Sequence, residues 1–585
     1  MGKLSDQQKA IVDAPLEPMS VVACAGSGKT KTAVQRLVKI REDLGHSRSH
    51  VALLSFSNIA VNTFREAYSE NSILIANKAT SNRVTIDTFD GFITSNILRP
   101  HAYRTMRCNR VPFLLTGTEP FLQNKKFKYW YEQSTDKRSV EGAGIKDIVV
   151  NIDDGKFNFS YRRGDKKYLT NNGLEVTKRL GATGGYTHEL GKFWSLITLL
   201  EQPEILRVLA NRYPHIIVDE AQDIGELHQN ILELLIKQGV KVTLIGDSNQ
   251  AIYEFTGATG EFITNFNEDP VNSSYDLSLN YRSISDILDV ANKISGRDDK
   301  ADKTSTNDEH GAYYIAYDPN NHKHLVKVFE TKLKKAGLLI ENSAVLYRGK
   351  GKSGIEKLRI TSKDIGQGRV KLLVLAAIER DANSDFYKAF KLVVSCVVSL
   401  LDNTPENLIS MITNPGSYPE LRDLRQDIWL FVRSVDDGLP SATLNGSTVW
   451  HGFVKTRLVT LLEMIEEKYG YPKVSKMGNK LNKTKLVDEP LLLAPELTIG
   501  DRLMIRVDTV HQAKGESLDA VLYMASKAHI NAMLGGVNTE VGRIGYVALT
   551  RAKNLFLLGV PKSALLELAP RLQAIGLKAL YGEGP

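Results

Sequence analysis

The stretch VVACAGSGKTKTA, residues 21–33, constrains this chain more than any other. A short apolar run gives way to glycines, and then Gly-Lys-Thr opens a helical pattern. Such a run buries as a parallel strand, and the small residues let the chain curl before the helix starts. In Ala23-Cys24-Ala25-Gly26-Ser27-Gly28-Lys29-Thr30 the backbone N–H groups of that curl are placed to surround phosphates at a helix N-terminus. Lys29 is expected to reach the β- and γ-phosphates of a nucleotide and the Thr30 hydroxyl to bind Mg2+. Ala23 stands where the general pattern has glycine, a change small enough to keep the loop tight.

Further runs share this texture. MSVVACAG, HVALLSFSN, HIIVDEAQD, KVTLIGDSN and IGYVALTRAK are each apolar, end in polar or charged residues, and precede a helical pattern. They are predicted to be buried parallel strands, with functional residues at their C-terminal ends. The runs fall before about residue 270 and again from about 340 onward, so two sheets in an α/β fold are expected. With 585 residues the chain exceeds the ~250–300 that one core usually serves. From Ile148 to Thr170 the pattern alternates in period two around DDG and RGD turn signals, an antiparallel meander. From about 375 to 470 it is helical. KVSKMGNKLNKTK, residues 473–485, carries five lysines and little that packs, and is expected to be a mobile loop.

Composition narrows the class. At 42% apolar and 24% charged, the chain is not disordered as a whole. Its three cysteines, Cys24, Cys108 and Cys396, lie far apart with no metal spacing, which reads as reduced thiols in a cytoplasmic protein. The N-terminus lacks the apolar stretch of a signal peptide. No apolar run approaches the ~18 residues that span a bilayer, so no membrane partner is expected. The net charge of +8 fits a polyanion partner, although many basic proteins bind none.

A phosphate loop needs a second strand bearing carboxylates, and IIVDEAQD supplies it. Asp219 sits where a carboxylate would hold Mg2+, and Glu220 is placed to activate an attacking water.

The remaining motifs follow in a fixed order from residue 4 to about 553. They are LSDQQKAIV, SFSNIAVNTFREAY, TIDTFDGF, VDEAQDIGELHQ, LIGDSNQAIYEFTGA, LSLNYRS, VLYRG, VDTVHQAKGESLD and YVALTRAK. Together they resemble superfamily 1A DNA helicases of the UvrD/Rep/PcrA type. That resemblance implies two RecA-like P-loop cores with parallel sheets, each carrying an inserted subdomain, the first partly β and the second mainly α. The implied division is core 1A over 1–94 and 206–270, insert 1B over 95–205, core 2A over 271–355 and 495–585, and insert 2B over 356–494.

The resemblance also implies roles. Gln8 would read adenine, Tyr281 would stack on it, and Gln250 would sense the γ-phosphate. Arg282 would reach the γ-phosphate from the second sheet, and Arg551 would be the arginine finger. ATP and Mg2+ are the implied cofactors. Phe56, Tyr253 and Phe255 match positions near bases, with burial in the core as the competing reading. Asn58, Thr88, Thr509 and His511 match positions near the DNA backbone or bases, and for His511 a structural hydrogen bond is the alternative. KKFKYW (125–130), YRRGDKKY (161–168) and the lysine run from 473 to 485 read either as duplex contacts or as solvated charge.

Departures from the pattern are local. Thr256 replaces an arginine common in motif III. In motif V, KGES puts Ser517 at the position of a ribose-binding glutamate with Glu516 one residue early. Either Glu516 serves through a shift or sugar recognition is weaker. The sequence ends shortly after motif VI, so no fused nuclease domain is expected. Two functions fit: a 3′→5′ helicase acting on single-stranded DNA and single-strand/duplex junctions, or a DNA-stimulated translocase subunit working with a partner such as a nuclease. Compact UvrD-like subunits of anti-phage systems such as Gabija resemble the second.

Overall fold

The computed structural model describes residues 4–72, 82–133, 136–164, 166–254, 257–305, 307–319, 321–348, 366–414, 418–475, 477–492 and 505–580. The chain divides into two compact units, one comprising Met1–Ile97, Ser195–Arg359 and Leu503–Pro585, the other Leu98–Trp194 and Ile360–Arg502.

The first unit holds two six-stranded sheets in which every pairing is parallel, the α/β class expected from the sequence. The first sheet runs Ser273–Leu277, Met19–Ala23, Lys241–Gly246, His215–Asp219, Val51–Ser55, Val84–Thr88. Its central strands are rich in Val, Ile and Leu and almost wholly buried, as in a sheet covered on both faces. Val21, Leu53 and Ile217 pack with Ile11, Leu37 and Phe64 in one core. The second sheet runs Arg506–Thr509, Ser343–Tyr347, Leu518–Met524, Ala552–Pro561, Gly311–Tyr317, Lys578–Ala579.

Two strands fall outside the expected groups. Ser273–Leu277 pairs with Met19–Ala23 from Met19↔Ser273 to Ala23↔Leu277, so the first sheet continues to Leu277. Its residues alternate between covered and exposed, as on a sheet edge, and a search for continuous apolar runs passes over them. Gly311–Tyr317 belongs to the second sheet although it precedes residue 340.

IGYVALTRAK is not a strand. Its apolar part closes the helix Glu540–Thr550, and the strand Ala552–Pro561 follows. Every residue from Gly542 to Thr550 is buried, so the polar positions that mark a surface helix are missing. Gly545 lets this helix lie against its neighbour, since a Cβ there would stand 2.6 Å from Met533 Cγ.

In the second unit, Ile148–Asp153, Lys156–Arg163 and Lys166–Leu169 form the expected antiparallel meander. The helices Gly368–Asn383, Phe386–Val398, Arg422–Arg433 and His451–Tyr469 enclose a core that includes Phe390, Ile428, Trp450 and Leu458. The segment expected as a mobile loop joins that core, because Val474 and Leu481 are buried in it. His451 Nε2 meets Leu481 O at 2.8 Å, and Lys473 Nζ lies 3.2 Å from Glu463 and 3.5 Å from Glu466. Single apolar anchors set among lysines suffice to hold the segment.

Candidate nucleotide site

The loop after Met19–Ala23 turns on two glycines. Gly26 has φ +75° and Gly28 φ +80°, conformations that glycine adopts without steric cost. Space matters as much: a Cβ on Gly26 would collide with Arg282 Cβ, and one on Gly28 would stand 2.7 Å from Gln8 Nε2. The loop is fastened at each turn. Cys24 N donates to Leu277 O at 2.9 Å, and Ser27 Oγ to Cys24 O at 2.9 Å. Asn280 Nδ2 donates to Ala25 O at 2.6 Å, and Tyr281 N to Gly26 O at 2.9 Å. Burial pushes the Cys24 thiol up to about 12, so it packs as an inert side chain.

Gln8 is committed at both ends of its amide. Its Oε1 accepts from Ser5 N at 3.2 Å in a capping box, and its Nε2 donates to Ser27 O at 3.1 Å. These bonds fasten the helix Asp6–Val12 to the loop. Buried Arg36 does the same from the helix Lys29–Asp43, donating to Val12 O at 3.0 Å and Pro15 O at 2.6 Å.

A cleft of about 330 Å³ opens over the loop. Ala25, Gly26, Ser27, Gly28, Lys29, Thr30, Glu220 and Gln250 line it from the first sheet, and Gly515, Ser517, Arg551 and Lys553 from the second, with Tyr281, Arg282 and Lys303 between them. The five cations Lys29, Arg282, Lys303, Arg551 and Lys553 face one carboxylate, Glu220, a field matched to a polyphosphate.

Glu220 carries the local strain. Its φ of +54° is left-handed, a conformation that costs a non-glycine residue about 1–3 kcal/mol and persists where the surroundings enforce it. Gln222 enforces it, donating from Nε2 to Glu220 Oε2 while its Oε1 accepts from Asp247 N at 3.0 Å. Lys29 Nζ stands 4.0 Å from Glu220 Oε1. Burial works to raise the Glu220 carboxyl, but Lys29, Lys514, Gln222 and Arg551 together hold it below the usual carboxylate range. Asp219 goes the other way, raised by burial and by the neighbouring Glu220 charge. The cations around Glu220 thus favour its ionised form.

The two sheets meet at Gln250. Its Nε2 donates to Asp247 Oδ2 at 2.7 Å, and its Oε1 accepts from Arg551 Nη2 at 2.7 Å. Arg551, 2% exposed, caps the helix Glu540–Thr550 and also donates to Val547 O at 3.2 Å and Glu516 O at 3.4 Å. Arg282 Nη1 donates to Thr550 O at 3.0 Å. Burial and the nearby Arg551 charge lower the Arg282 guanidinium to about 9, which leaves it charged at neutral pH.

The residues fit Mg2+. Asp219 is 3% exposed and its Oδ1 has no hydrogen-bond partner among the described residues, while Thr30 lines the cleft. One carboxylate oxygen and one hydroxyl are the donors Mg2+ takes when substrate phosphates and water complete its octahedron. No cluster of three or more His, Cys, Asp or Glu able to hold a metal occurs among the described residues.

The residues expected near DNA are spread over the first unit. Phe56 is half-buried, with ring centroids 5.9 Å from Phe89 and 5.6 Å from His228. Asn58 is exposed at the start of the helix Asn58–Ser72, and Thr88 Oγ1 caps the helix Phe89–Ile93 through Gly91 N at 2.9 Å. Tyr253 packs 5.6 Å from the His511 ring, with Lys514 Nζ 4.8 Å above it. His511 Nε2 meets Ile252 O at 2.9 Å, the structural hydrogen bond that the sequence left open. Thr509 Oγ1 donates to Gln512 Oε1 at 3.0 Å. Phe255 and Thr256 lie outside the described residues.

Glu516 does not line the cleft. Arg506 grips it with two bonds of 2.8 and 2.9 Å, and Ser517 takes the lining position. Sequence reasoning also passed over Asn280, Lys303 and Lys553, and the buried pair of Asp223 with Lys514, whose Nζ lies 2.6 Å from both carboxylate oxygens. Asp223, Asn280 and Lys514 stand inside quoted motifs and were legible there. Lys303 carries no local signal.

Among the described residues, no helix is long and apolar enough to cross a membrane. Residues 4–271 match the family model described as UvrD/REP helicase N-terminal domain. The chain is 27% identical over 385 residues to the ATP-dependent DNA helicase PcrA of Staphylococcus aureus, covering 61% of this chain and 49% of that protein. With PcrA of Staphylococcus epidermidis it shares 26% over 382 residues, covering 60% and 49%. With a probable DNA helicase II homolog of Mycoplasma capricolum it shares 25% over 368 residues, covering 59% and 49%. The chain therefore spans about half the length of the curated relatives it matches. Residues 4–271 are thus similar to the UvrD/REP helicase N-terminal domain, and the chain is similar over about three fifths of its length to PcrA and helicase II proteins.

Proposed function

We propose that the chain is an ATP-driven motor on single-stranded DNA that moves 3′→5′ and separates duplex strands at junctions. The observation that carries this reading is the hydrogen bond from Arg551 to Gln250, which joins the second sheet to the first beside Lys29 and Glu220. Both sheets supply groups to one cleft, so a triphosphate bound there gives them a common ligand. Lys29, Arg282 and Arg551 would neutralise the charge that develops on the transferred phosphoryl group, and Glu220 would take the proton of the attacking water. Thr30 and Asp219 would hold Mg2+, which supplies Lewis-acid stabilisation of the phosphate oxygens when bound.

Coupling to DNA follows from the neighbours of Gln250 in sequence. Ala251 O accepts from Arg543 Nε at 2.5 Å, Ile252 O meets His511, and Tyr253 packs on His511 and Lys514. A change of partner at Gln250 is thereby transmitted to side chains proposed to touch DNA. Residues 95–205 and 356–494 are read as the inserts of the two cores, and the 3′→5′ polarity rests on the family resemblance.

Strand displacement tests this reading. Duplexes with a 3′ tail, a 5′ tail or no tail are offered to the purified chain with ATP. Displacement confined to the 3′-tailed duplex is expected, and displacement confined to the 5′-tailed duplex refutes the polarity. DNA-stimulated ATP turnover without displacement replaces the helicase reading with a translocase that needs a partner.

A further inference from the structure

We propose that the hairpin formed by Lys156–Arg163 and Lys166–Leu169 binds the phosphate backbone of double-stranded DNA through its cross-strand pairs Arg162–Lys167 and Arg163–Lys166. It takes from the proposed function only that DNA is the ligand.

The observation is a register that a purely structural hairpin avoids. Arg162 pairs directly with Lys167, and Arg163 with Lys166. Like charges directly opposite on antiparallel strands destabilise the pairing, and here two such pairs are stacked next to the turn. Arg163, Lys166 and Lys167 are exposed, and among the described residues no carboxylate pairs with them. The repulsion is carried by the base of the hairpin. Tyr131 packs 5.1 Å from Tyr161 and 5.2 Å from Tyr168, and Thr170 N donates to Phe159 O at 2.8 Å. The base thus holds the strands in a register that brings the exposed Arg163, Lys166 and Lys167 together beside the half-buried Arg162, an arrangement suited to a polyanion.

Duplex is favoured over single strand by where the cations point. Side chains alternate across a strand, so Arg162 and Lys167 share one face of the ribbon and Arg163 and Lys166 the other. A ribbon charged on both faces suits a groove walled by two backbones, and a two-stranded ribbon fits the major groove of B-DNA. A single strand offers one row of phosphates and is gripped by aromatic platforms. The tyrosines here are spent on Tyr131, and the tip presents none.

The test uses the full chain without nucleotide. R162Q/R163Q/K166Q/K167Q and the charge-conserving R162K/R163K are compared with wild type by fluorescence anisotropy. The probes are a short blunt DNA duplex, oligo-dT and polyglutamate, titrated between about 50 and 200 mM KCl. For the quadruple variant we expect duplex affinity to fall at least about tenfold, and the log–log salt slope to become shallower by up to about 3.6, at about 0.9 per phosphate contact. Oligo-dT binding, DNA-free ATP turnover and the circular dichroism spectrum stay as in wild type, and R162K/R163K keeps the wild-type slope. An unchanged slope, an equal loss on oligo-dT, or an equal loss in the charge-conserving variant overturns the proposal. So does loss of polyglutamate binding with duplex binding intact, which would assign the surface to an acidic protein. Oligo-dT-stimulated turnover in a wild type that ignores the duplex would overturn this proposal and leave the motor reading standing. Absence of stimulated turnover with the duplex effect present would do the reverse.

Discussion

Replacing Lys514 with methionine should unmask the price of burying Asp223. The two side chains are 6% and 5% exposed, and Lys514 Nζ sits 2.6 Å from both carboxylate oxygens. Burial pushes the Asp223 carboxyl from its ordinary 3.8 up to about 6 even though Lys514 pulls it down. At ~1.4 kcal/mol per pH unit, about 3 kcal/mol already opposes the ionised form at neutral pH. Removing one partner of a buried pair costs about 3–5 kcal/mol, and protonation of Asp223 keeps the loss near the lower figure. The sign with pH follows. A carboxyl raised on folding favours the protonated native state, so its unfavourable contribution grows as pH climbs from about 4 through about 6. Lys514→Met should therefore be less stable than wild type by about 3 kcal/mol at pH 8, with the deficit closing toward pH 5, where Asp223 is neutral in both proteins. Urea unfolding of the two proteins, of Asp223→Asn and of the double variant gives the coupling as a double-mutant cycle. A deficit that widens toward pH 5, or a coupling below about 0.5 kcal/mol, refutes the reasoning.

Three further substitutions probe separate parts of the account. Gly26→Ala forces a Cβ into Arg282 at φ +75°, a backbone cost of about 1–2 kcal/mol before the collision, and should abolish binding of a fluorescent ATP analogue while the circular dichroism spectrum persists. Glu516→Ala should change the ratio of ATP to dATP turnover by less than about twofold, because Arg506 engages the carboxylate and Ser517 lines the cleft. Leu481→Ala should destabilise the helical core of the second unit by about 2–5 kcal/mol, read from its unfolding by urea, whereas a mobile loop would show no loss.

The sequence made the phosphate-loop half of the site legible because strand, loop and helix are contiguous there. The apolar run up to Ala23, the glycines and Lys29 each obey a local rule. Asp219 and Glu220 were legible for the same reason, following the apolar residues Ile216, Ile217 and Val218 of the buried strand His215–Asp219. What sequence could not give was partnership at a distance. That Gln8 spends its amide on Ser5 and Ser27, or that Arg506 occupies Glu516, depends on contacts that no spacing encodes. In the helix Glu540–Thr550 burial on all sides erases helical periodicity, and an apolar run of that length reads as a strand. Ser273–Leu277 escapes the pattern for the converse reason, being an edge strand whose polar positions interrupt the run.

ATP turnover by the purified chain, with and without oligo-dT, in wild type and Arg551→Ala, addresses the central claim most directly. The account requires turnover that rises on adding oligo-dT and falls by about 10³–10⁵ in Arg551→Ala, the worth of an arginine finger. Turnover indifferent to oligo-dT, or an Arg551→Ala variant within about tenfold of wild type, would contradict it.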